Sequence, residues 1–305
     1  MSTRQLTLFI VVVFAAFATA QISYADGLQM LRVGEATRTY VVRKPETLLP
    51  SSRVPLVLVL HGGGGNAANA EKMTGFTEKA RRERFIVVYP EGSGRFRRGL
   101  FTWNAGHCCG YAMENKVNDV AFINLLIDDL SKRYPIDDKR IYVTGMSNGA
   151  MMTHRLGVAL SHRIAAIAPV VGTLFGDERI PTQPVAALMI NGVLDDNVPF
   201  AGGQGEGRGK DAWDGTPTKP ALDQAAFWAK ANGCDPSPIK NDNATQTYYR
   251  NQCPNGRAVE LIALKDNGHA WPGGEKGSPR GDKPSTSLNA TDVIWEFFKS
   301  HPAIR

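Results

Sequence analysis

The chain has 305 residues, 43% of them hydrophobic and 21% charged, with a formal net charge of +6. This is the balance of a globular protein with enough chain for one large core or two small ones, which argues against a disordered or fibrous molecule. The charge excess is small; the basic cluster at Lys79–Arg84 reads as the solvated end of a helix and that at Arg95–Arg98 as a solvated loop, and no reader motif accompanies either, so no nucleic-acid partner is expected.

The chain opens with a targeting pattern. Arg4 supplies a positive start. Leu6 to Ala18 is an uncharged apolar run, short for a membrane span, and Ala18-Thr19-Ala20 and Ser23-Tyr24-Ala25 both offer small residues to a signal peptidase. A secretory leader over residues 1–25, cleaved after Ala20 or Ala25, is expected; an uncleaved anchor is the alternative. The working domain would then be 26–305, secreted or periplasmic, with no membrane association after cleavage.

Beyond the leader, 38–43 alternates as an edge strand would. The run VPLVLVL at 54–60 is apolar throughout, as in a strand buried on both faces, and FIVVY at 85–89 is another, closed by Pro90-Glu91-Gly92. Val120, Ile123, Ile127, Leu130 and Tyr134 recur at steps of three and four, predicting a helix over 117–134 that Pro135 stops. There follow a strand at 140–144, a helix at 148–160, strands at 164–171 and 185–190, and a helix at 221–232 ended by Gly233. Strands at 245–250 and 258–264 and a helix at 291–300 complete the pattern. Alternating strands and helices imply a mostly parallel sheet covered on both faces, in a single α/β domain. Chemistry in such a sheet gathers at the carboxyl ends of the strands. Two long loops rich in glycine and charge, 201–219 and 273–286, interrupt the pattern, and loops of that length point to function.

One stretch concentrates chemical interest. In IYVTGMSNGAMM, residues 141–152, Gly145 and Gly149 bracket Ser147 between a strand and a helix, the G-x-S-x-G pattern of a nucleophile elbow. A serine hydroxyl needs a base, and the base an orienting acid. Asp195 follows a buried strand and is the expected acid, with Asp196 as the alternative; His269 follows a later strand and is the expected base. The oxyanion would meet the N–H of Asn148 and those of Gly63 and Gly64 in HGGGGN, residues 61–66. That loop lacks the Lys and Ser/Thr of a phosphate-binding loop. Trp103 and Trp271 are candidate walls of an apolar pocket, with core packing as the alternative.

Four cysteines in an exported chain invite disulfides. Cys234 and Cys253 flank a polar segment and are expected to pair, steadying the chain that leads to His269. Cys108 and Cys109 are adjacent, either bridged or reduced. His107 beside them has no second ligand cluster, so no metal is expected, and the chemistry needs no cofactor.

The pieces LHGGGGN (60–66), WNAGHCCG (103–110), VNDVAFINLLIDDL (117–130), YVTGMSNGAMM (142–152), DDNVPF (195–200), FWAKANGC (227–234) and GHAWPGG (268–274) together resemble the secreted esterases grouped with polyhydroxybutyrate depolymerases and feruloyl esterases. They span nearly the whole chain in the family's order. The resemblance implies an α/β-hydrolase fold, Ser147 as nucleophile, Asp195 as acid and His269 as base, and it fits the Cys234–Cys253 pairing. Two departures stand out: Asn191-Gly192 where the family has His-Gly, and Asn118-Asp119-Val120 where it has Asp-Asp-Val. The expected activity is carboxylic-ester hydrolysis through an acyl-enzyme. A serine peptidase on the same fold, or an inactive binding protein, is the alternative. No binding module or Ser/Thr-rich linker follows the domain, so soluble esters or short oligomers are the expected partners, such as hydroxycinnamoyl sugars or hydroxyalkanoate oligomers.

Overall fold

A computed structural model describes residues 24–25, 27–45, 47–49, 51–96, 99–207, 209–254 and 256–304. The expected leader, apart from Tyr24 and Ala25, lies outside the described residues.

The sheet is built on six parallel strands: β4 (Val54–Leu60), β5 (Ile86–Pro90), β6 (Ile136–Met146), β7 (Ala166–Val170), β8 (Ala186–Gly192) and β11 (Val259–Leu264). Antiparallel strands extend both sides. β3 (Ala36–Pro45) pairs with β5 and in turn carries β1 (Tyr24–Ala25) and β2 (Leu28–Val33); β10 (Gln246–Arg250) and β9 (Ile239–Asp242) follow β11. The order runs β1-β3-β5-β4-β6-β7-β8-β11-β10-β9, with β2 beside β3.

The apolar run of β4 shows why the sheet is covered twice. Leu56, Leu58 and Leu60 enter one core with Phe122, Leu126, Leu156 and Trp228, on the side of α4 (Asp119–Arg133), α5 (Asn148–Ala159) and α6 (Ala221–Asn232). Val57 and Val59 enter a second core with Phe76, Ala80, Trp295 and Phe298, on the side of α1 (Ala67–Thr74), α2 (Phe76–Glu83) and α7 (Ala290–Ser300). Side chains alternate across a strand, so only an all-apolar run satisfies both faces. A one-turn α3 (Gly110–Glu114) precedes α4.

Three expectations need correction. The strand predicted at 38–43 is not an edge, because β1 and β2 pair along its outer side. Helix α1 lies where none was predicted, while α2 ends at the basic cluster read as a helix end; each is only eight residues long, and left-handed Gly75 separates them. Within the basic cluster, Lys79 is buried and bonded to Asp292 rather than solvated.

Cys234 and Cys253 are joined, as are Cys108 and Cys109. The first bridge does not lead towards His269 as expected. In the β10–β11 register Arg250 faces Glu260 and Gln246 faces Leu264, so Cys253, just past β10, stands at the amino end of β11. His269 follows the carboxyl end.

Candidate active site

Ser147 ends β6 and begins α5. Its backbone sits at φ 57° and ψ −125°, a strained conformation for a residue with a side chain. The flanking glycines have a measurable cause. A Cβ on Gly145 would lie 2.7 Å from the Gly149 carbonyl oxygen and 2.9 Å from Leu60 Cβ, and one on Gly149 would lie 2.6 Å from the Leu60 carbonyl oxygen. The turn closes against β4 with no room for either side chain.

Three strand ends converge there. His269, after β11, places Nε2 2.8 Å from Ser147 Oγ. Its Nδ1 lies 2.8 Å from Asp195 Oδ2, after β8. Asp195 is buried, and its other oxygen accepts the amides of Asn197 and Val198, each at 2.8 Å. With an acceptor at Nδ1, the histidine carries its proton there and leaves Nε2 free to accept from the serine hydroxyl. Asp196 is exposed, and its carbonyl accepts the amides of Glu206 and Gly207. The choice between the neighbouring carboxylates thus falls, by position, on Asp195.

The glycine loop after β4 lies against the elbow. A Cβ on Gly62 would touch Ser147 Cβ at 3.5 Å, and one on Gly63 would touch Asn148 Cβ at 3.7 Å. The amide of Asn148 opens α5, where helical amides lack intrahelical partners. Gly64 departs from expectation: its N–H donates to the Phe101 carbonyl at 2.8 Å and is not free for an oxyanion. Gly63 and Asn148 remain the candidate donors, and both line the cavity beside Ser147.

His61 shapes that loop from beneath. It is fully buried, its Nδ1 donating to the Gly62 carbonyl at 2.8 Å and its Nε2 accepting the Gly92 amide at 2.9 Å. Burial pushes its pKa down to about 4, which keeps the ring neutral and the accepted bond intact.

Trp103 and Trp271 were expected at a pocket wall; both are buried and neither lines the cavity. Each indole instead spends its N–H inside the protein, Trp103 on the His61 carbonyl at 3.0 Å and Trp271 on Thr291 Oγ1 at 3.1 Å. Trp103 still serves the site. Its amide donates to Asn148 Oδ1 at 2.7 Å, and Asn148 Nδ2 donates back to its carbonyl at 3.0 Å, fixing the residue after the serine. Asp119, buried with Arg38 at 2.8 Å, accepts the next amide, that of Asn104, at 2.8 Å.

Sequence reasoning missed two residues that hold His269. Asn267 is fully buried, accepts the Ser285 amide at 3.0 Å, and donates to the carbonyls of Gly268 and Ala270 at 2.8 and 3.1 Å. Asp282 accepts the amide of His269 at 2.7 Å. Asp282 lies inside a loop flagged by its length, which was the only available signal.

Beside Ser147 and His269 opens a cavity of about 400 Å³. Met151, Val198, Cys109 and Trp213 give it apolar walls; Lys210, Ser278 and Asp282 give it polar ones. Both long loops contribute, with Lys210 and Trp213 from 201–219 and Ser278 and Asp282 from 273–286. A smaller space of about 160 Å³, lined by Asn69, Met73 and Met146, shares Ser147, Gly63 and His269 with it. Ser147 borders both spaces, which also share Ser278, Gly281 and Asp282.

A parallel sheet with a strained serine elbow, and with an acid and a histidine on later strand ends, defines an α/β-hydrolase. The acetyl xylan esterase of Aspergillus awamori shares this fold, with a TM-score of 0.60 over 90% of this chain and 100% of that one, at 16% identity. Residues 40–205 match the family model described as esterase PHB depolymerase, and the chain belongs to that family. It is 28% identical over 248 residues to feruloyl esterase B of Piromyces equi, covering 79% of this chain and 44% of that one. It is 29% identical over 236 residues to the bifunctional acetylxylan esterase/xylanase of Neocallimastix patriciarum, covering 77% and 31%. The chain thus spans less than half the length of either relative.

Proposed function

We propose that this chain is an exported carboxylic-ester hydrolase working through an acyl-enzyme on Ser147. The observation that carries the reading is the unbroken line from Asp195 through His269 to Ser147, two contacts of 2.8 Å, opening on a cavity. Ser147 Oγ attacks the ester carbonyl while His269 Nε2 takes its proton. Charge on the carbonyl oxygen is met by the amides of Asn148 and Gly63, aimed before the reaction begins. Collapse expels the alcohol, which takes the proton from His269. Water, deprotonated by the same nitrogen, then releases the acid. Asp195 stays ionised and holds the ring.

Room beside Trp213, Met151 and Val198 supports an acyl or alcohol part larger than acetyl, such as a hydroxycinnamoyl sugar or a short hydroxyalkanoate oligomer. Export is supported by the leader pattern and the Cys234–Cys253 bridge. The test joins two measurements: labelling by a fluorophosphonate, mapped to Ser147 by peptide sequencing, and turnover of a panel of aryl, hydroxycinnamoyl and hydroxyalkanoate esters beside a peptide anilide. Labelling without ester turnover, or turnover of the anilide alone, would reject the reading.

A further inference from the structure

The segment that carries Trp213 is held from outside the sheet. Trp213 forms an isolated bridge with Cys108, and its ring meets Phe175 edge-on at 5.9 Å. The amide of Asp214 donates to the His107 carbonyl at 3.1 Å. The His107 side chain then ties three segments together. Its Nδ1 lies 2.7 Å from Asp214 Oδ2 and 3.0 Å from Thr216 Oγ1; its Nε2 lies 3.0 Å from Asp177 Oδ2. Its ring packs 5.1 Å from that of Phe175.

A carboxylate stands at each ring nitrogen. A neutral imidazole carries one proton and can donate to only one of them; the imidazolium donates to both. We propose that His107, as an imidazolium shared by Asp177 and Asp214, is a positioning residue that holds Trp213 against the cavity for recognition of the bulkier arm of the ester. Loss of its proton to solvent frees the Asp214 side. The inference rests on the ester-hydrolase reading above.

The geometry also says which arm lets go. Thr216 can turn its hydroxyl to donate to a bare Nδ1, and among the described residues no hydroxyl is bonded at Nε2. The remaining proton therefore stays on Nε2 facing Asp177, and Asp214 Oδ2, next to Trp213, loses the His107 donor, while its Oδ1 keeps the Thr216 amide at 2.9 Å. Hydrogen bonding to Asp177, then to Asp214, raises the His107 pKa above its ordinary value. The folded value lies above the unfolded one, so the clamp is at full strength below about pH 6.5 and is lost as pH rises through the folded value.

Among the described residues, the other charged groups on the packed segments are engaged elsewhere or exposed. Arg155 donates to the Asn104 carbonyl at 2.8 Å, and Glu178 accepts the amides of Phe175 and Gly176 at 2.6 and 2.7 Å. Lys210, Asp211 and Lys219 are exposed. The His107 side chain is 28% exposed, Asp214 40% and Asp177 71%, so water and salt screen the clamp.

The experiment measures KM and kcat from roughly pH 6 to pH 10 for a hydroxycinnamoyl aryl ester and for the acetyl ester of the same phenol. In the wild type, KM for the bulky ester should rise about fivefold along the alkaline limb, the size expected of a screened pair, with no matching step in kcat or in KM for the acetyl ester. Asp214→Asn should start with the raised KM and show no step, and Trp213→Ala should abolish the difference in pH response between the esters. Imidazole nitrogen NMR should show His107 titrating at lower pH in Asp214→Asn, a readout independent of turnover. A full KM step in Asp214→Asn, an equal step for both esters, or an unmoved His107 titration overturns the proposal. Hydrolysis of both esters with a pH-flat KM sinks the clamp alone; hydrolysis of neither sinks the esterase reading, and the NMR arm still tests the clamp.

Discussion

The two halves of the site are built by opposite means. Ser147, Asp195 and His269 stand on the ends of β6, β8 and β11, packed between two cores and braced by buried Asn148, His61 and Asn267. Trp213, Lys210 and Ser278 hang on long segments; among the described residues of 201–219 the one helical turn is the 3-10 turn at Lys210–Ala212. Under the proposed function, bond-making, which tolerates little misplacement, sits on the sheet, and recognition sits on loops, where change is easily accommodated. Their histidines differ in the same way. His61 is buried and held neutral, while His107 is partly exposed and held by carboxylates.

The contrast can be broken most directly at the rigid half. Ser147→Ala and His269→Ala should each lower kcat by roughly 10⁴-fold or more, with the double variant little worse than either. Additive losses, measured as kcat on an aryl ester, would mean the two do not act together. Next in size, Asp195→Asn should cost about 10³-fold in kcat or more, by loss of the correct imidazole tautomer, while the exposed Asp196→Asn should change it less than about threefold. The reverse ranking would reassign the acid.

Two stability measurements sharpen the comparison. His61 has a folded pKa of about 4, below its unfolded value of 6.5. The unfolded chain binds the extra proton, so stability should fall by about 3 kcal/mol between pH 6.5 and pH 4, and His61→Gln should flatten that part of the denaturant-midpoint profile. Buried His154, its pKa lowered to about 3, adds a slope of the same sign that the variant should keep. Cys234→Ser should cost about 3 kcal/mol by the loop-entropy argument. Because the bridge lies at the amino end of β11, kcat below the melting transition should stay within about twofold, as for other changes remote from a site. A large kcat loss in the folded variant would contradict that placement. The smallest effect belongs to the recognition half: Trp213→Ala should raise KM for a bulky ester about tenfold, by lost aromatic contact, with kcat nearly unchanged.

Much of the rigid half was legible because each of its residues follows an apolar run too continuous to be anything but a buried strand. VPLVLVL, IYVTG and ALMING announced the strand ends, and the glycines around Ser147 marked the tight turn. Short elements were harder. Helices α1 and α2, split by Gly75, have too few residues for a period to emerge, and β2 alternates in burial while its sequence, LQMLRV, puts Leu28 and Met30 on the exposed side. The tryptophans were misplaced because a tryptophan after a strand fills a core as readily as it lines a pocket, and only packing decides. His107 with Asp177 and Asp214, or His269 with Asp282, are partnerships between distant segments that no local pattern encodes.

The neck of the 201–219 segment is closed by paired backbone bonds, Gly203 to the Thr218 carbonyl at 3.0 Å and Thr218 to the Gly203 carbonyl at 2.9 Å. Everything between those residues is a cassette with fixed ends, and lengthening such a loop twofold costs only about 0.6 kcal/mol in closure entropy. Grafting a foreign insert between 209 and 217, which keeps the amides of Glu206 and Gly207 on the Asp196 carbonyl, should therefore retune substrate range while leaving the three strand ends in register. A chimera whose Ser147 still reacts with a fluorophosphonate at the parental rate, yet ranks esters differently, would show the hydrolase chassis and its selectivity to be separable parts.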